Sequence, residues 1–266
     1  MLMTNAKVYS IDGVEAGSIE LPHVFDEPVR RDLIARAVLA EETLTLQPKA
    51  AYKRAGLETS ASYRGRKEAY RSLKNKGISR LPREKLPKGR FGKVRKVPFA
   101  VGGRRAFPPN VNKILVEKIN DKERKKAIRS AIAATANRAM VEKRGHKLNG
   151  VKSYPMVVDN AFESISRTKQ VFAALTKLGF SLDLARAQKS KHVSGVIANR
   201  RGGVRRPKSL VIIVGEDKGI VKGGRNIAGV DVITVDKISA KVLAPGAHAG
   251  RAALYSANAI EKLKAW

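Results

Sequence analysis

Leu210-Val211-Ile212-Ile213-Val214 and Val230-Asp231-Val232-Ile233-Thr234-Val235 are the stretches whose reading decides the fold class of this chain. Both are short, rich in β-branched residues and apolar, with at most one charged residue, the pattern of strands buried on two faces. Met156-Val157-Val158 reads the same way. Between the first two of these three runs in chain order, Val171, Leu175 and Leu178 keep helical spacing up to Gly179, and after the last, Ile238, Val242 and Leu243 do likewise. Ala257 to Trp266 is expected to be a terminal helix with Ser256 as its cap. Strands alternating with helices imply an α/β fold: three layers, α/β/α, around a short, mainly parallel sheet.

Outward from that core, Lys7-Val8-Tyr9-Ser10-Ile11 and Gly17-Ser18-Ile19-Glu20-Leu21 alternate around Asp12-Gly13, which predicts a hairpin. After Pro28, Val29, Leu33, Ala37, Val38 and Leu44 follow one helical stripe, with Glu41 as a misfit. Asn120-x-x-Glu123 has capping-box spacing before Ala127-Ile128-Arg129-Ser130-Ala131-Ile132-Ala133-Ala134, so one long helix is expected, ending near Gly145.

The stretch from Gln47 to Asn110 breaks the pattern. It carries 19 Lys/Arg against Glu58, Glu68 and Glu84, a net +16. Its prolines and glycines exclude long helices and regular sheet, although Lys67 to Lys76 has the composition for two or three helical turns. The expected organisation is therefore residues 1–46 and 111–266 as one globular α/β domain, interrupted by an extended basic loop at 47–110. Tyr52, Tyr63, Tyr70, Phe91, Phe99 and Phe107 lie within the loop, six of the fourteen aromatic side chains, with little core to join. Cations neutralise phosphates and release counterions, and aromatic rings stack on unpaired bases at about 1 to 3 kcal/mol each. Folded back on itself at about 3.3 Å per residue, such an excursion reaches about 100 Å at most, enough to penetrate a large RNA. The competing reading is a solvated basic tail, which seldom contains this many aromatics and turn-forming prolines.

Two further basic clusters stand out. Lys122, Arg124, Lys125, Lys126 and Arg129 occupy the first turns of the long helix, where the macrodipole disfavours cations and an external phosphate would offset the cost. Arg186, Lys189, Lys191, Arg200, Arg201, Arg205, Arg206 and Lys208 form the other, with no acid between Asp183 and Glu216. Gly-Gly pairs precede Arg at Gly102-Gly103, Gly202-Gly203 and Gly223-Gly224. Glycine lets a backbone approach phosphate, and it equally serves ordinary turns.

Composition supports the same partner. The 266 residues carry 54 Lys+Arg and 23 Asp+Glu, a net charge of +31, so a partner supplying negative charge is expected. The absence of cysteine removes disulfides, thiolate-bound metal and a thiol nucleophile. Neither a signal-like start nor a membrane-length apolar run is visible, which points to a cytoplasmic protein. His23, His146, His192 and His248 lack metal-ligand spacing, so no metal and no cofactor is expected. The enzymatic alternative is a Mg²⁺-dependent nuclease using Asp159, Glu216, Asp217 and Asp236 after the strands. Against it, Asp159 and Asp236 sit where helix caps belong and Asp217-Lys218-Gly219 reads as a turn. No phosphate-binding Walker motif or serine-hydrolase elbow is present.

Several longer strings carry a resemblance. Phe25, Pro28, Arg31-Asp32-Leu33-Ile34, Glu58-Thr59-Ser60-Ala61, Ala100-Val101-Gly102-Gly103-Arg104-Arg105-Ala106-Phe107-Pro108-Pro109, Asn120-Asp121-Lys122-Glu123-Arg124 and Ala127-Ile128-Arg129-Ser130-Ala131-Ile132-Ala133-Ala134-Thr135 resemble the large-subunit ribosomal protein four family, archaeal and eukaryotic type. The match runs through essentially the whole chain, and the short C-terminal end resembles the archaeal members. The resemblance implies a structural, non-catalytic constituent of the large ribosomal subunit that binds large-subunit rRNA, supports assembly and threads its internal loop through the RNA. It also implies a loop tip in the wall of the peptide exit tunnel beside the ribosomal protein twenty-two family, approximately Ser62 through Arg80, with no membrane and no small-molecule substrate. Tip residues are Ser62, Tyr63, Arg64, Gly65 and Arg66. The sequence departs from the family there: Tyr63-Arg64-Gly65-Arg66-Lys67-Glu68-Ala69-Tyr70 stands where many relatives carry a Trp-Gly-Ser-Gly-Arg-like tip. The residues expected to contact RNA are Lys49, Lys53, Arg54, Tyr63, Arg64, Arg66, Lys67, Tyr70, Arg71, Lys74, Lys76, Arg80, Arg83, Lys88, Arg90, Lys93, Arg95, Lys96, Arg104 and Arg105 in the loop. Outside it they are Lys122, Arg124, Lys125, Arg129, Arg200, Arg201, Arg205 and Arg206. A dissociable ribosome-biogenesis factor is the remaining alternative.

Overall fold

The structure is a computed structural model that describes residues 5–266 except 69 and 71, and only the backbone at 197, 200 and 201. In chain order the strands are β1 (Asn5–Tyr9), β2 (Glu15–Glu20), β3 (Arg83–Lys85), β4 (Phe91–Val94), β5 (Met156–Val158), β6 (Lys191–His192), β7 (Val204–Arg205), β8 (Val211–Val214), β9 (Asp231–Thr234) and β10 (Ala253–Ser256). The helices are α1 (Arg31–Thr43), α2 (Asp121–Ala136), α3 (Arg138–Lys143), α4 (Thr168–Lys177), α5 (Ser181–Gln188), α6 (Val196–Arg201), α7 (Ile220–Gly224), α8 (Ala240–Leu243) and α9 (Ala257–Leu263). They divide between two units, one up to Thr45 and from Val116 to Trp266, the other Leu46–Leu115.

The first unit is built on a six-stranded sheet in the order β2-β1-β5-β10-β8-β9. Only β1 and β2 run antiparallel; every other neighbouring pair is parallel. Side chains alternate between the two faces with the period of a strand. Val157, Val211, Ile213, Ala253 and Tyr255 share one core with Ile34 and Val38 of α1, Ala131 and Ile132 of α2, and Ile260 of α9. On the other face, Met156, Val158, Ile212, Val214 and Leu254 share a second core with Val171 and Leu175 of α4 and Leu184 of α5. This is the mainly parallel α/β architecture expected, with helices covering both faces.

Several elements differ from the sequence reading. The strand β10 was not expected, yet it lies at the middle of the sheet between β5 and β8, with all four residues buried. Its two flanking ladders and two packed faces outweigh the weak strand preference of Ala253 and Ser256. The run at Val230–Val235 is only half-buried along β9, because that strand is a sheet edge. The expected single helix after Asn120 is two: α2 ends at Ala136, Asn137 turns to extended φ/ψ, and its side chain caps α3 by accepting from the Met140 amide. Asn120 precedes α2 with extended geometry but no side-chain cap bond. Gly145, at φ +101°, closes the shorter α3 instead.

Buried polar groups knit these elements together. The fully buried Arg251 guanidinium donates from Nε to the Ser209 carbonyl at 2.7 Å and pairs with Asp231 at 2.7 Å, tying the entry of β10 to β8 and β9. Glu41, the misfit in the α1 stripe, accepts from the amides of Ala240 and Lys241 at 3.1 and 2.8 Å and so caps α8. Among the described residues, no helix is long and apolar enough to cross a membrane.

In the second unit, β3 and β4 form a short antiparallel pair. Ser62 bridges Arg83, its amide donating to the Arg83 carbonyl at 3.2 Å. Ala61 and Leu73 are buried at 1% and 2% exposure, and Leu73 lines a small pocket with the half-buried Phe91, so a small apolar interior exists where little core was expected. No helix occurs over the described residues of 67–76, which form turns and bends. The buried residues described in this stretch, Ser72 and Leu73, are adjacent instead of three or four apart, so they make no helical stripe.

Candidate nucleic-acid interface

Within the second unit the charge imbalance decides the chemistry. Two of its three acids are already engaged, Glu84 by Arg95 at 2.7 Å and Glu58 by Arg54 at 3.6 Å. Over residues 47–110 alone, nineteen cations against three acids leave sixteen positive charges even after one-to-one pairing. Lys49, Lys53, Arg54, Arg66, Lys67, Lys74, Lys76, Arg80, Lys88, Arg90, Lys93, Arg104 and Arg105 are all exposed. Arg83, Arg95, Lys96 and Arg64 are half-buried. Arg83 donates to Ser79 Oγ at 2.7 Å and Arg64 to the Tyr70 carbonyl at 3.2 Å, so these two also hold the segment's own turns. Arg71 lies outside the described residues.

The aromatic side chains of this unit divide in the same way. Phe99 and Phe107 are exposed at 74% and 90%, and Tyr52, Tyr63 and Tyr70 are exposed too. Phe91 is the exception, half-buried with the Lys76 ammonium 5.0 Å above its ring. At the expected tip, Ser62 is half-buried by its bridge to Arg83, whereas Tyr63 and Arg66 face outward and the Tyr63 ring lies against Gly65. A side chain at Gly65 would collide with that ring.

The Gly-Gly pairs serve the chain's own turns and packing. Gly102 sits at φ +75°, and a Cβ on Gly103 would strike the Val97 carbonyl. Gly202 and Gly203 turn the chain between α6 and β7 at φ +71° and +68°. A Cβ on Gly223 would lie 2.9 Å from the Ile165 carbonyl, so this pair sets a close helix approach.

In the first unit, Lys122, Arg124, Lys125 and Lys126 project from the first turns of α2, while Asp121 pairs with Arg124 at 3.4 Å and Glu123 with Arg36 at 3.6 Å. Arg129 is half-buried, and its Nε has no hydrogen-bond partner among the described residues. Arg205 and Arg206 are exposed on and after β7. The side chains of Arg200 and Arg201 lie outside the described residues. Two members of that third cluster are spoken for: Arg186 binds the buried Asp183 at 2.8 Å, and Lys208 binds Asp231 at 2.8 Å. Spacing along the chain could not reveal those partners.

Sequence reasoning also missed a group that folding assembles from distant segments. Arg31 at the start of α1, Lys143 and Arg144 at the end of α3, and His248 before β10 line one cavity of about 360 Å³. No spacing signal connects them.

The strand-end carboxylates do not converge. Asp159 accepts from the Asn160 amide at 2.7 Å, Asp217 accepts from the Gly219 amide at 2.9 Å, and Glu216 pairs with Lys262 at 3.2 Å. Among the described residues, no group of three or more His, Cys, Asp or Glu could hold a metal ion.

A family model described as the ribosomal protein L4/L1 family matches residues 19–266. The chain belongs to this family. It is 47% identical over 260 residues to a large ribosomal subunit protein uL4 of Methanococcus maripaludis strain C6, covering 97% of this chain and 98% of that one. A protein of the same name from Methanocaldococcus jannaschii is 43% identical over 260 residues, again with 97% and 98% covered. The relative from Methanosphaera stadtmanae is 43% identical over 262 residues, covering 98% and 96%. An L4/L1 member is a ribosomal protein, not an enzyme, which removes the nuclease reading.

Proposed function

We propose that this L4/L1-family protein is a structural constituent of the large ribosomal subunit in the cytoplasm, and that residues 47–110 are its RNA-penetrating arm. The observation that carries this is the arm's positive charge: nineteen cations, two of its three acids already paired, and five of six aromatic rings exposed. An unbound protein gains nothing from such a surface, since like charges repel and exposed rings stay hydrated. Threaded between rRNA helices, the cations would neutralise phosphates and the rings would stack on unpaired bases. Neighbouring large-subunit proteins, including the twenty-two family, would flank the tip at Ser62, Tyr63, Arg64, Gly65 and Arg66 in the exit tunnel wall.

The full chain bound to large-subunit rRNA fragments should lose affinity steeply as salt rises, with a log-log slope of several units. A flat response would sink the reading. A photo-crosslinking side chain at position 63 should capture a stalled nascent peptide in assembled subunits. A dissociable biogenesis factor would instead leave mature subunits in a high-salt wash, where a structural constituent stays at one copy on a sucrose gradient.

A further inference from the structure

The cavity lined by Arg31, Lys143, Arg144 and His248 has the chemistry of an anion site. The nearest acids in sequence are occupied elsewhere, Asp32 by Arg30 at 2.7 Å and Glu142 by Arg138 at 2.8 Å, and no carboxylate lines the cavity. Arg144 is the pivot. Its guanidinium donates to the carbonyls of Pro245 and His248, neutral acceptors that position it without cancelling its charge. Burial, with the Arg251 and Arg186 charges nearby, pushes this guanidinium down to about 10, so it remains protonated at neutral pH. Arg251 and Arg186 each have a carboxylate partner, Asp231 and Asp183.

The wall of the cavity is rigidly built. Gly250, at φ +88°, lets the loop approach α3 so closely that a Cβ there would lie 2.9 Å from the Met140 carbonyl. Ala247, which lines the cavity, is held at φ +64°, a conformation that L residues rarely adopt. The two carbonyl bonds hold the half-buried Arg144 guanidinium in the cavity lining, beside the exposed Arg31 and Lys143. A planar guanidinium fork matches two oxygens of a phosphate, and flanking cations add attraction at longer range.

We propose that Arg31, Lys143, Arg144 and His248 form a site for a backbone phosphate of large-subunit rRNA, through which the α/β unit docks independently of the arm. The site presupposes the rRNA binding proposed above. Its ligand chemistry is a phosphate group, which a free anion shares, so the test separates the two sources.

The full chain would carry Arg31→Gln with Lys143→Gln, leaving Arg144 in its structural bonds, and be titrated with a large-subunit rRNA fragment over a salt series. A charge-matched control would carry Lys169→Gln with Lys264→Gln, both exposed. The cavity variant should bind on the order of tenfold more weakly and lose about one unit of salt slope, while the control changes little; the charge-keeping pair Arg31→Lys with Lys143→Arg should bind like the wild type. Equal losses in cavity and control variants would overturn the site. So would unchanged rRNA affinity with inorganic phosphate shifting the His248 ring resonances, the mark of a free-anion site. If the wild type itself shows no salt-dependent rRNA binding, the parent reading fails, not the site alone.

Discussion

At the residue scale, the buried Asp183 concentrates more interactions than any other carboxylate of the α/β unit. It accepts from Arg186 at 2.8 Å, from Ser209 at 2.5 Å and from the Lys147 amide at 3.1 Å, and it lies 3.1 Å from His146 Nδ1. Burial pushes its carboxyl up, but the bonds from His146, Arg186 and Ser209 outweigh that and hold it well below the usual carboxylate range. Asp183→Asn leaves Arg186 partly buried without its partner, so it should cost about 3 to 5 kcal/mol and lower the melting temperature by roughly 10 °C. His146 behaves oppositely in cause. Burial, offset in part by the Asp183 bond, pushes its imidazole below the ordinary value of 6.5. A histidine neutral in the fold and protonated when unfolded contributes stability above about pH 6.5 that is lost as the pH falls below it. Thermal melts should therefore show stability declining from pH 7 to pH 5, and His146→Gln should flatten that decline even if it lowers stability overall.

Short helices in this protein depend on side chains reached across the fold. Glu41 caps α8 from a position about two hundred residues upstream. Glu41→Ala should cost about 1 kcal/mol, read by denaturant melts, and raise hydrogen exchange at the Ala240 and Lys241 amides. Ser256 accepts from the Ala259 amide at 3.1 Å to cap α9 and donates to the buried Glu163 at 2.6 Å, which also accepts from the Gly215 amide at 2.8 Å. Ser256→Ala removes the cap and one of the hydrogen bonds to the buried Glu163, which keeps the Gly215 amide, so it should cost more than Glu41→Ala, about 2 kcal/mol. The Ser256 cap was legible because Ser stands directly before an apolar helical run. The Glu41 cap was not, since a charged residue in a helical stripe looks like a misfit until its distant partner is known.

For the molecule as a whole, the arm is an insertion whose ends meet. The Glu117 amide donates to the Thr43 hydroxyl at 3.1 Å, so the chain leaves and re-enters the α/β unit at adjacent points. Replacing residues 46–115 by a short Gly-Ser linker should leave a cooperatively folding α/β unit by circular dichroism and calorimetry, while incorporation into large subunits collapses on sucrose gradients. An unfolded remainder would place the arm in the folding core.

The alternation of apolar runs at 156–158, 210–214 and 230–235 with helical spacing between them determined an α/β sheet covered on both faces, because a strand buried on two sides needs no polar residues. Net charge along the chain likewise marked residues 47–110 as a segment unsuited to that core, since sixteen unmatched cations cannot be buried. Tertiary structure alone decided that Ala253-Leu254-Tyr255-Ser256 supplies the central strand β10, where neighbours on both edges override weak local preference. It alone also separated Arg186 and Lys208, tied to buried or half-buried aspartates, from the exposed Lys189, Lys191, Arg205 and Arg206 around them. The same holds for the meeting of Arg31, Lys143, Arg144 and His248 in one cavity. Periodicity and charge are local properties that a sequence carries in order, whereas pairing is a property of distance, and distance exists only once the chain has folded.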